Sequence, residues 1–361
     1  MSSNHFSRRT LLAGAALLAQ AAPVRLPRKI RLGILGLEGH IAELLDPLPQ
    51  RPDVELVAVS DADPAQRLKV ARPGVRPYAS HLELLDKENL DVAGLCGNHA
   101  ERVALIQACA QRKIHVVSEK PLAINTADFE KVRRAVADHG IELSMIIAMR
   151  FQPEFQALRN AVQSGQIGEV TQVTAQKSYV LGKRPEWMKH RASYGGTIPY
   201  IGIHLVDLMR FTTGRELLHL ASHESRVGHP ESGDMENTAV SLFRLDNGGN
   251  GAMHLDYLRP DNAASHGDDR LRIAGTRGLV EYQEHVGVTL MTDQRAEHRI
   301  DPLPAPLSYF TDFLESVYSG KPRGLSLDDI YRANQIVLEA RDSADKVAQH
   351  PQQRVRAAKR A

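Results

Sequence analysis

The chain has only two cysteines and one tryptophan in 361 residues, and aromatic residues make up 5%. Two cysteines cannot build a disulfide framework, so a chain of this length must be held by its hydrophobic core. Cys96 closes a predicted strand and Cys109 lies in the following predicted helix, the placement of small buried residues. A surplus of either charge is also missing: 45 basic side chains face 43 acidic ones, for a formal charge of +2. The only basic cluster is a short solvated tail with Arg354, Arg356, Lys359 and Arg360, so nucleic acid is not an expected partner. Histidine is abundant, yet His204 with Asp207 and His254 with Asp256 have no spacing that closes a metal site, and no metal is expected.

An apolar run long enough to span a membrane is absent too. The start reads SRRTLLAGAALLAQAAP, in which Arg8 and Arg9 precede an alanine-rich apolar segment and small residues follow at 19–22. This pattern is that of a signal peptide over residues 1–22, and its paired arginines resemble the twin-arginine signal that exports folded proteins. The expected location is the periplasm, with the twin-arginine export machinery as a partner and no stable membrane insertion.

What is present is an alternation of strands and helices. IRLGILG, ELVAVSD, VRPYAS, DVAGLCG, HVVSE and IELSMIIAM read as strands, with helical segments near residues 41–48, 81–86, 100–112 and 126–139. Their apolar residues run continuously, which requires both sheet faces to be covered. Residues 28–148 are therefore expected to form a Rossmann-type, doubly wound parallel α/β domain, whose ligand lies at the carboxyl ends of the strands. The turn Gly36-Leu37-Glu38-Gly39-His40 is a weakened dinucleotide fingerprint. Glu38 stands where glycine would let the backbone approach a pyrophosphate, and Ile41 where a third small residue belongs. Gly39 offers a shifted turn in compensation. Asp61 ends the second strand, where a carboxylate accepts bonds from both ribose hydroxyls and repels a 2′-phosphate, favouring NAD over NADP. Arg67 tempers that preference, and capping of the Asp-Ala-Asp-Pro turn is the alternative role for Asp61.

Alternating segments at 171–178, TAVSLFRL, NGAMHLDY, DRLRIAG and GLVEYQE predict a second, α+β domain over 149–306 with a largely antiparallel open sheet. PLSYFTDFLESV and SLDDIYRANQIVLEARDSA are expected as late helices within 307–346, packed around both domains, with a tail at 347–361. In WMKHRASYGGTIPYIGIHLVDLMRFTTG, Tyr200, His204 and Asp207 have the spacing of one helix face.

HVVSEKPLA, the first domain and the Gly195–Asp207 stretch together resemble the glucose–fructose oxidoreductase, inositol dehydrogenase and rhizopine-catabolism (Gfo/Idh/MocA) family, over nearly all of the mature chain. The resemblance implies that Lys120 sits beside a nicotinamide and a substrate hydroxyl; a salt bridge to Glu119 is the structural alternative. Gly36, Gly39, His40, Asp61, Asn98, Glu119 and Lys120 are then the cofactor-binding set. In GNHAERV the family's proline is Gly97 and its histidine is either His99 or replaced by Arg102, while Asn98 is a cofactor contact or a helix cap. His204 and Asp207 match a histidine and an aspartate of the family, and Tyr200 stands in place of an acidic residue.

Lys120, His204 and Tyr200 are accordingly the expected catalytic residues. Lys120 polarises the hydroxyl, His204 has the intrinsic pKa to accept its proton, and Tyr200 donates a hydrogen bond or acts as a base if Lys120 depresses its pKa. Asp207 orients a ring or closes a packing contact, and is counted with the substrate-binding residues. Arg150, Lys177, Tyr179, Trp187, His190, Arg191 and Tyr194 form a polar and aromatic set suited to carbohydrate. The expected activity is NAD-dependent hydride transfer from a sugar, polyol or sugar derivative, with tightly bound, recycled cofactor. The alternatives are an NAD-assisted glycoside hydrolase or lyase and a non-catalytic sugar-binding protein. The resemblance also implies a homo-oligomer.

Overall fold

Two sheets organise residues 24–228 and 230–349, which are those the computed structural model describes; the expected signal peptide and most of the tail lie outside them. The first sheet comprises β1 (Ile30–Leu35), β2 (Val54–Ser60), β3 (Arg76–Tyr78), β4 (Val92–Leu95), β5 (His115–Ser118) and β6 (Leu143–Met145). Their order is β3-β2-β1-β4-β5-β6, and every pairing is parallel. Leu32, Ile34, Val92, Val116 and Val117 are wholly buried, as the continuous apolar runs require. Strand order reverses between β1 and β4, so their carboxyl ends flank the crevice that open α/β sheets use for ligands.

Local signals set the helix ends. Asn125 begins the helix Thr126–His139 by accepting the Asp128 N–H, and Gly140 ends it with φ of 62°. The helix Pro64–Lys69, not anticipated from sequence, is too short to display a period; it starts on Asp63, whose side chain accepts from the Ala65 N–H.

The second sheet comprises β7 (Val170–Val180), β8 (Leu217–Ser225), β9 (Thr238–Leu245), β10 (Asn250–Arg259), β11 (Arg270–Gly275), β12 (Gly278–Gln283), β13 (Gly287–Thr292) and β14 (Arg295–Arg299). Its order is β14-β13-β12-β11-β7-β10-β9-β8, antiparallel throughout except for the parallel pair β7 and β10. β9 displays the alternation plainly, with Ala239, Ser241, Phe243 and Leu245 buried and Val240, Leu242 and Arg244 exposed. Helices Pro153–Gln163, Ile203–Thr213 and Leu327–Gln349 cover one face of this sheet. The last also returns to the first domain, where Asn334 Oδ1 accepts from the Leu122 N–H at 2.8 Å. The helix Tyr309–Ser319 sits against the helix Ala42–Leu45, and Tyr309 donates to Ser144 Oγ at 2.8 Å. No helix among the described residues is long and apolar enough to cross a membrane.

Candidate active site

β5 delivers Glu119 and Lys120 to the crevice. Glu119 Oε1 accepts the His40 backbone N–H at 2.6 Å and pairs with His40 Nδ1, while Oε2 accepts the Lys120 N–H at 2.8 Å. Burial opposes ionisation of Glu119, but the charges of His40, Lys120 and Arg102 outweigh it and hold the carboxyl well below its usual range. Gly39 makes this possible: its φ is 67°, and a Cβ there would lie 2.5 Å from Glu119 Oε1. Lys120 is 2% exposed. Its Nζ donates to the Tyr200 carbonyl at 2.9 Å and lies 3.5 Å from the centroid of the Tyr200 ring. The ammonium thus faces Tyr200 rather than pairing with Glu119. Burial lowers the Lys120 pKa to about 7; Glu119 opposes the shift, and the charges of Arg102, Lys177 and Arg184 reinforce it.

Arg102, anticipated only as a replacement for a histidine, ties this loop down. It is buried, donates to the Pro121 carbonyl, and reaches the Gly97 carbonyl at 2.9 Å. Burial lowers it to about 10. Its neighbour His99 is also buried, with Nδ1 donating to the Tyr194 carbonyl at 2.9 Å and its ring 4.6 Å from that of Trp187.

The glycine loop is built around its departures from the regular pattern. Gly36 has φ of 80°, and a Cβ there would stand 1.8 Å from the Cys96 carbonyl oxygen, so only glycine permits β1 and β4 to approach so closely. Glu38 does not cover the loop's amides, because its carboxylate accepts from Trp187 Nε1 at 3.1 Å across the cleft. The amides of Gly36, Leu37 and His40 are taken by Ser60 O, Asp61 Oδ2 and Glu119 Oε1. Those of Glu38 and Gly39 have no partner among the described residues, which leaves two adjacent donors where a pyrophosphate belongs. Asp61 accepts the Leu37 and Asp63 N–H groups at 3.0 and 2.9 Å, one on each carboxylate oxygen, and each oxygen retains a lone pair for a ribose hydroxyl. Arg67 folds back onto the Asp61 and Ala62 carbonyls. Asn98 Oδ1 caps the helix His99–Gln111 through the Ala100 N–H, leaving its amide nitrogen as a donor. These donors and acceptors fit a dinucleotide.

Tyr200 lies in a π-helical turn, Ile198–Gly202, that runs into the helix Ile203–Thr213 carrying His204 and Asp207. His204 Nδ1 is buried without a partner. Burial, with the charges of Lys120, Lys177 and His40, lowers the His204 pKa well below its usual value, so the ring is neutral. Its ring meets that of His40 edge-on at 5.8 Å between centroids. Tyr200 departs from one expectation: burial, then Tyr257 and Glu119, raise its phenol pKa, so it is no base. Lys120 Nζ bonds the Tyr200 carbonyl and lies on the ring face; it makes no hydrogen bond to the phenol oxygen.

Several expected substrate contacts are committed elsewhere. Asp207 is 1% exposed and pairs with Arg150, which bonds it through Nε at 3.1 Å and through Nη2, and which also reaches Gly324 O at 3.0 Å and Asp329 at 3.1 Å. Arg150 and Asp207 are therefore a buried clamp between helices, not substrate ligands. The His190 side chain is turned to solvent beside Glu186. Arg191 is held by Glu236 and Asp345, and Tyr194 is buried with its hydroxyl 3.0 Å from Thr197 Oγ1. Lys177 pairs with Asp269 and donates to the Tyr179 hydroxyl at 2.7 Å, which places that pair beneath the sheet's inner face, within electrostatic reach of Lys120 and His204. Trp187 does line the cleft, a cavity of about 310 Å³ bounded also by Glu38, Gly39, His99, Glu119 and Tyr200. A larger cavity of about 820 Å³ adjoins it and shares Lys183 and Arg184 as lining. No group of three or more metal-ligating side chains is gathered among the described residues.

A nucleotide-type crevice facing a buried lysine is the arrangement of a dehydrogenase. Residues 30–146 match the family described as an oxidoreductase family with an NAD-binding Rossmann fold, and residues 155–281 match the GFO/IDH/MocA C-terminal domain. The chain belongs to the Gfo/Idh/MocA oxidoreductases. It is 27% identical over 319 residues to a myo-inositol 2-dehydrogenase of Thermotoga maritima, covering 83% of this chain and 92% of that protein. It is 25% identical to the rhizopine catabolism protein MocA of Rhizobium meliloti, over 84% of this chain and 92% of that one. Among solved structures it resembles a putative oxidoreductase from Thermotoga maritima, with 30% identity, a TM-score of 0.82, and coverage of 88% of this chain and 98% of that one.

Proposed function

We propose that this NAD-dependent oxidoreductase oxidises a hydroxyl of a sugar, polyol or sugar derivative, with Lys120 as the base. The observation that carries the reading is the buried Lys120 amine, lowered to about 7 and held against Tyr200, which lines the cleft together with Glu119 and Gly39 of the dinucleotide crevice. A base is most effective when its pKa lies near the working pH. Neutral Nζ takes the hydroxyl proton, and the neutral His204 imidazole supplies a hydrogen bond that orients the same hydroxyl. This reverses the roles expected from sequence, where His204 was the acceptor and Lys120 the fixed charge. The Glu38 and Gly39 amides, Asp61 and the Asn98 amide hold the cofactor, and Glu119 with His40 fixes the loop between them. The chemistry that NAD supplies when bound is acceptance of a hydride. The name of the myo-inositol dehydrogenase relative supports a polyhydroxylated substrate. Oxidation measured against pH should rise through about 7 to a plateau, and Lys120→Met should abolish that limb. A rate independent of pH between 5 and 9, at roughly constant cofactor binding, would contradict the assignment.

The same proposal includes export in the folded state through the twin-arginine machinery to the periplasm, supported by Arg8, Arg9 and the apolar segment behind them. A free NAD pool is not at hand there, so folded export suits a cofactor that travels bound and is recycled. Replacing Arg8 and Arg9 by lysine should retain the protein in the cytoplasm; unchanged periplasmic recovery would refute this route.

A further inference from the structure

We propose that Arg184 receives a carboxylate of the substrate, so that the site prefers sugar acids to the corresponding neutral sugars; this rests on the reading of the cleft as a sugar or polyol oxidoreductase. Arg184 follows β7 and lines both cavities. Its Nε is buried without a hydrogen-bond partner. The rest of the guanidinium has only a long contact to the Val180 carbonyl, at 3.5 Å, and the face of Tyr257, at 4.8 Å.

Arg184 itself is half-buried, and the fully buried cations nearby are accommodated. Lys177 has Asp269, Arg150 has Asp207, and Arg102 has two backbone carbonyls. The acids of the smaller cavity are already engaged, Glu38 by the Trp187 indole and Glu119 by His40 and the Lys120 amide. No carboxylate among the described residues pairs with Arg184. A guanidinium in this state is a planar fork of donors awaiting an acceptor, and a carboxylate matches it with two parallel charge-assisted bonds.

Position ties Arg184 to the reaction. Tyr200, whose carbonyl holds Lys120 Nζ, lines the same small cavity as Arg184. The Arg184 charge also reaches Lys120, where it adds to burial in lowering the amine. A bound carboxylate would offset it.

The test uses the chain's single tryptophan, Trp187, as a reporter inside the cleft. The NAD-loaded protein is titrated with three matched pairs: D-galacturonate and D-galactose, D-glucuronate and D-glucose, and D-gluconate and D-glucitol, with equilibrium dialysis as a second readout. In at least one pair the acid should bind about tenfold more tightly than its neutral partner, with the advantage shrinking as salt rises. Arg184→Gln should bring that ratio to within about twofold of one, Arg184→Lys should restore part of it, and thermal unfolding of each variant reports whether it is folded. Equal affinities within every pair, or a preference that survives in folded R184Q, would overturn the inference. NAD reduction by a neutral sugar without any acid preference would overturn it while leaving the dehydrogenase reading intact; failure to bind NAD would remove that reading instead.

Discussion

Burial gives Lys120 its chemistry and also sets its cost to the fold. The folded-state pKa of about 7 lies below the ordinary lysine value of 10.5, so the unfolded chain binds more protons between the two. Stability from this group therefore rises with pH from about 7 to 10.5 and is lowest, and constant, below that window. Lys120→Met should remove that slope, raise stability at pH 7 by about 1 kcal/mol or more, and lower kcat/KM by at least about 100-fold. Urea midpoints measured against pH, with steady-state kinetics, check both. Asp207 serves the fold alone: burial pushes its carboxyl up against the pull of Arg150, and Asp207→Ala takes the more deeply buried of two carboxylates from that guanidinium, leaving it Asp329. That change should cost about 3–5 kcal/mol while leaving kcat/KM of the folded fraction within about twofold, measured by denaturant titration and kinetics. Lys120 and Asp61 were legible because a motif and a strand end announce them. The pairing of Arg150 with Asp207 was not, since the two lie 57 residues apart and each alone has the chemistry of a ligand. His190 was chosen by residue type, and nothing local says which way a side chain at a helix entrance turns.

At the scale of elements, the loop after β1 shows why an irregular glycine pattern still makes a nucleotide crevice. Gly36 faces backbone, so Gly36→Ala meets the Cys96 carbonyl and must displace β4; it should lower thermal stability and eliminate NAD binding. Gly39 faces the end of a side chain, so Gly39→Ala should fold, lose the Glu119–His40 contact and bind NAD more weakly. Calorimetric titration of both variants with NAD checks the contrast, and equal affinities would refute it. Glu38 reads from sequence as a defect, yet its bond to Trp187 carries it away from the loop amides, a contact that no spacing rule encodes. Alternation disclosed β9 and β10 because each has one clean buried face. β8 escaped notice because its register shifts between His219 and Ala221, which breaks the period of two. β13 and β14 form an edge hairpin whose last strand is almost wholly exposed, so it has little apolar pattern to display.

The whole molecule carries an exposed apolar face on the second sheet, opposite its covering helices. Val240 and Leu242 are each about half exposed, at 50% and 53%, and lie two residues apart on the outer face of β9. We propose that copies of the chain associate through this face. Sedimentation of the purified protein should give an oligomer that Val240→Asp with Leu242→Asp converts to monomer. A monomer in the parent protein at all concentrations would contradict this. The division into a parallel and a largely antiparallel sheet was legible because the two apolar periods differ. The covering of both domains by the last long helix was less so, because a helix's own pattern gives its buried face but not the partners it meets.

The central claim is that the crevice between β1 and β4 holds NAD for redox chemistry at Lys120. The most direct measurement is to purify the folded protein without added cofactor, denature it, and identify the released nucleotide by mass and ultraviolet absorption. The account predicts NAD or NADH in stoichiometric amount, or, from protein stripped of nucleotide, tight rebinding of NAD in preference to NADP that Asp61→Ala abolishes. Protein that releases no nucleotide and fails to bind added NAD would contradict it.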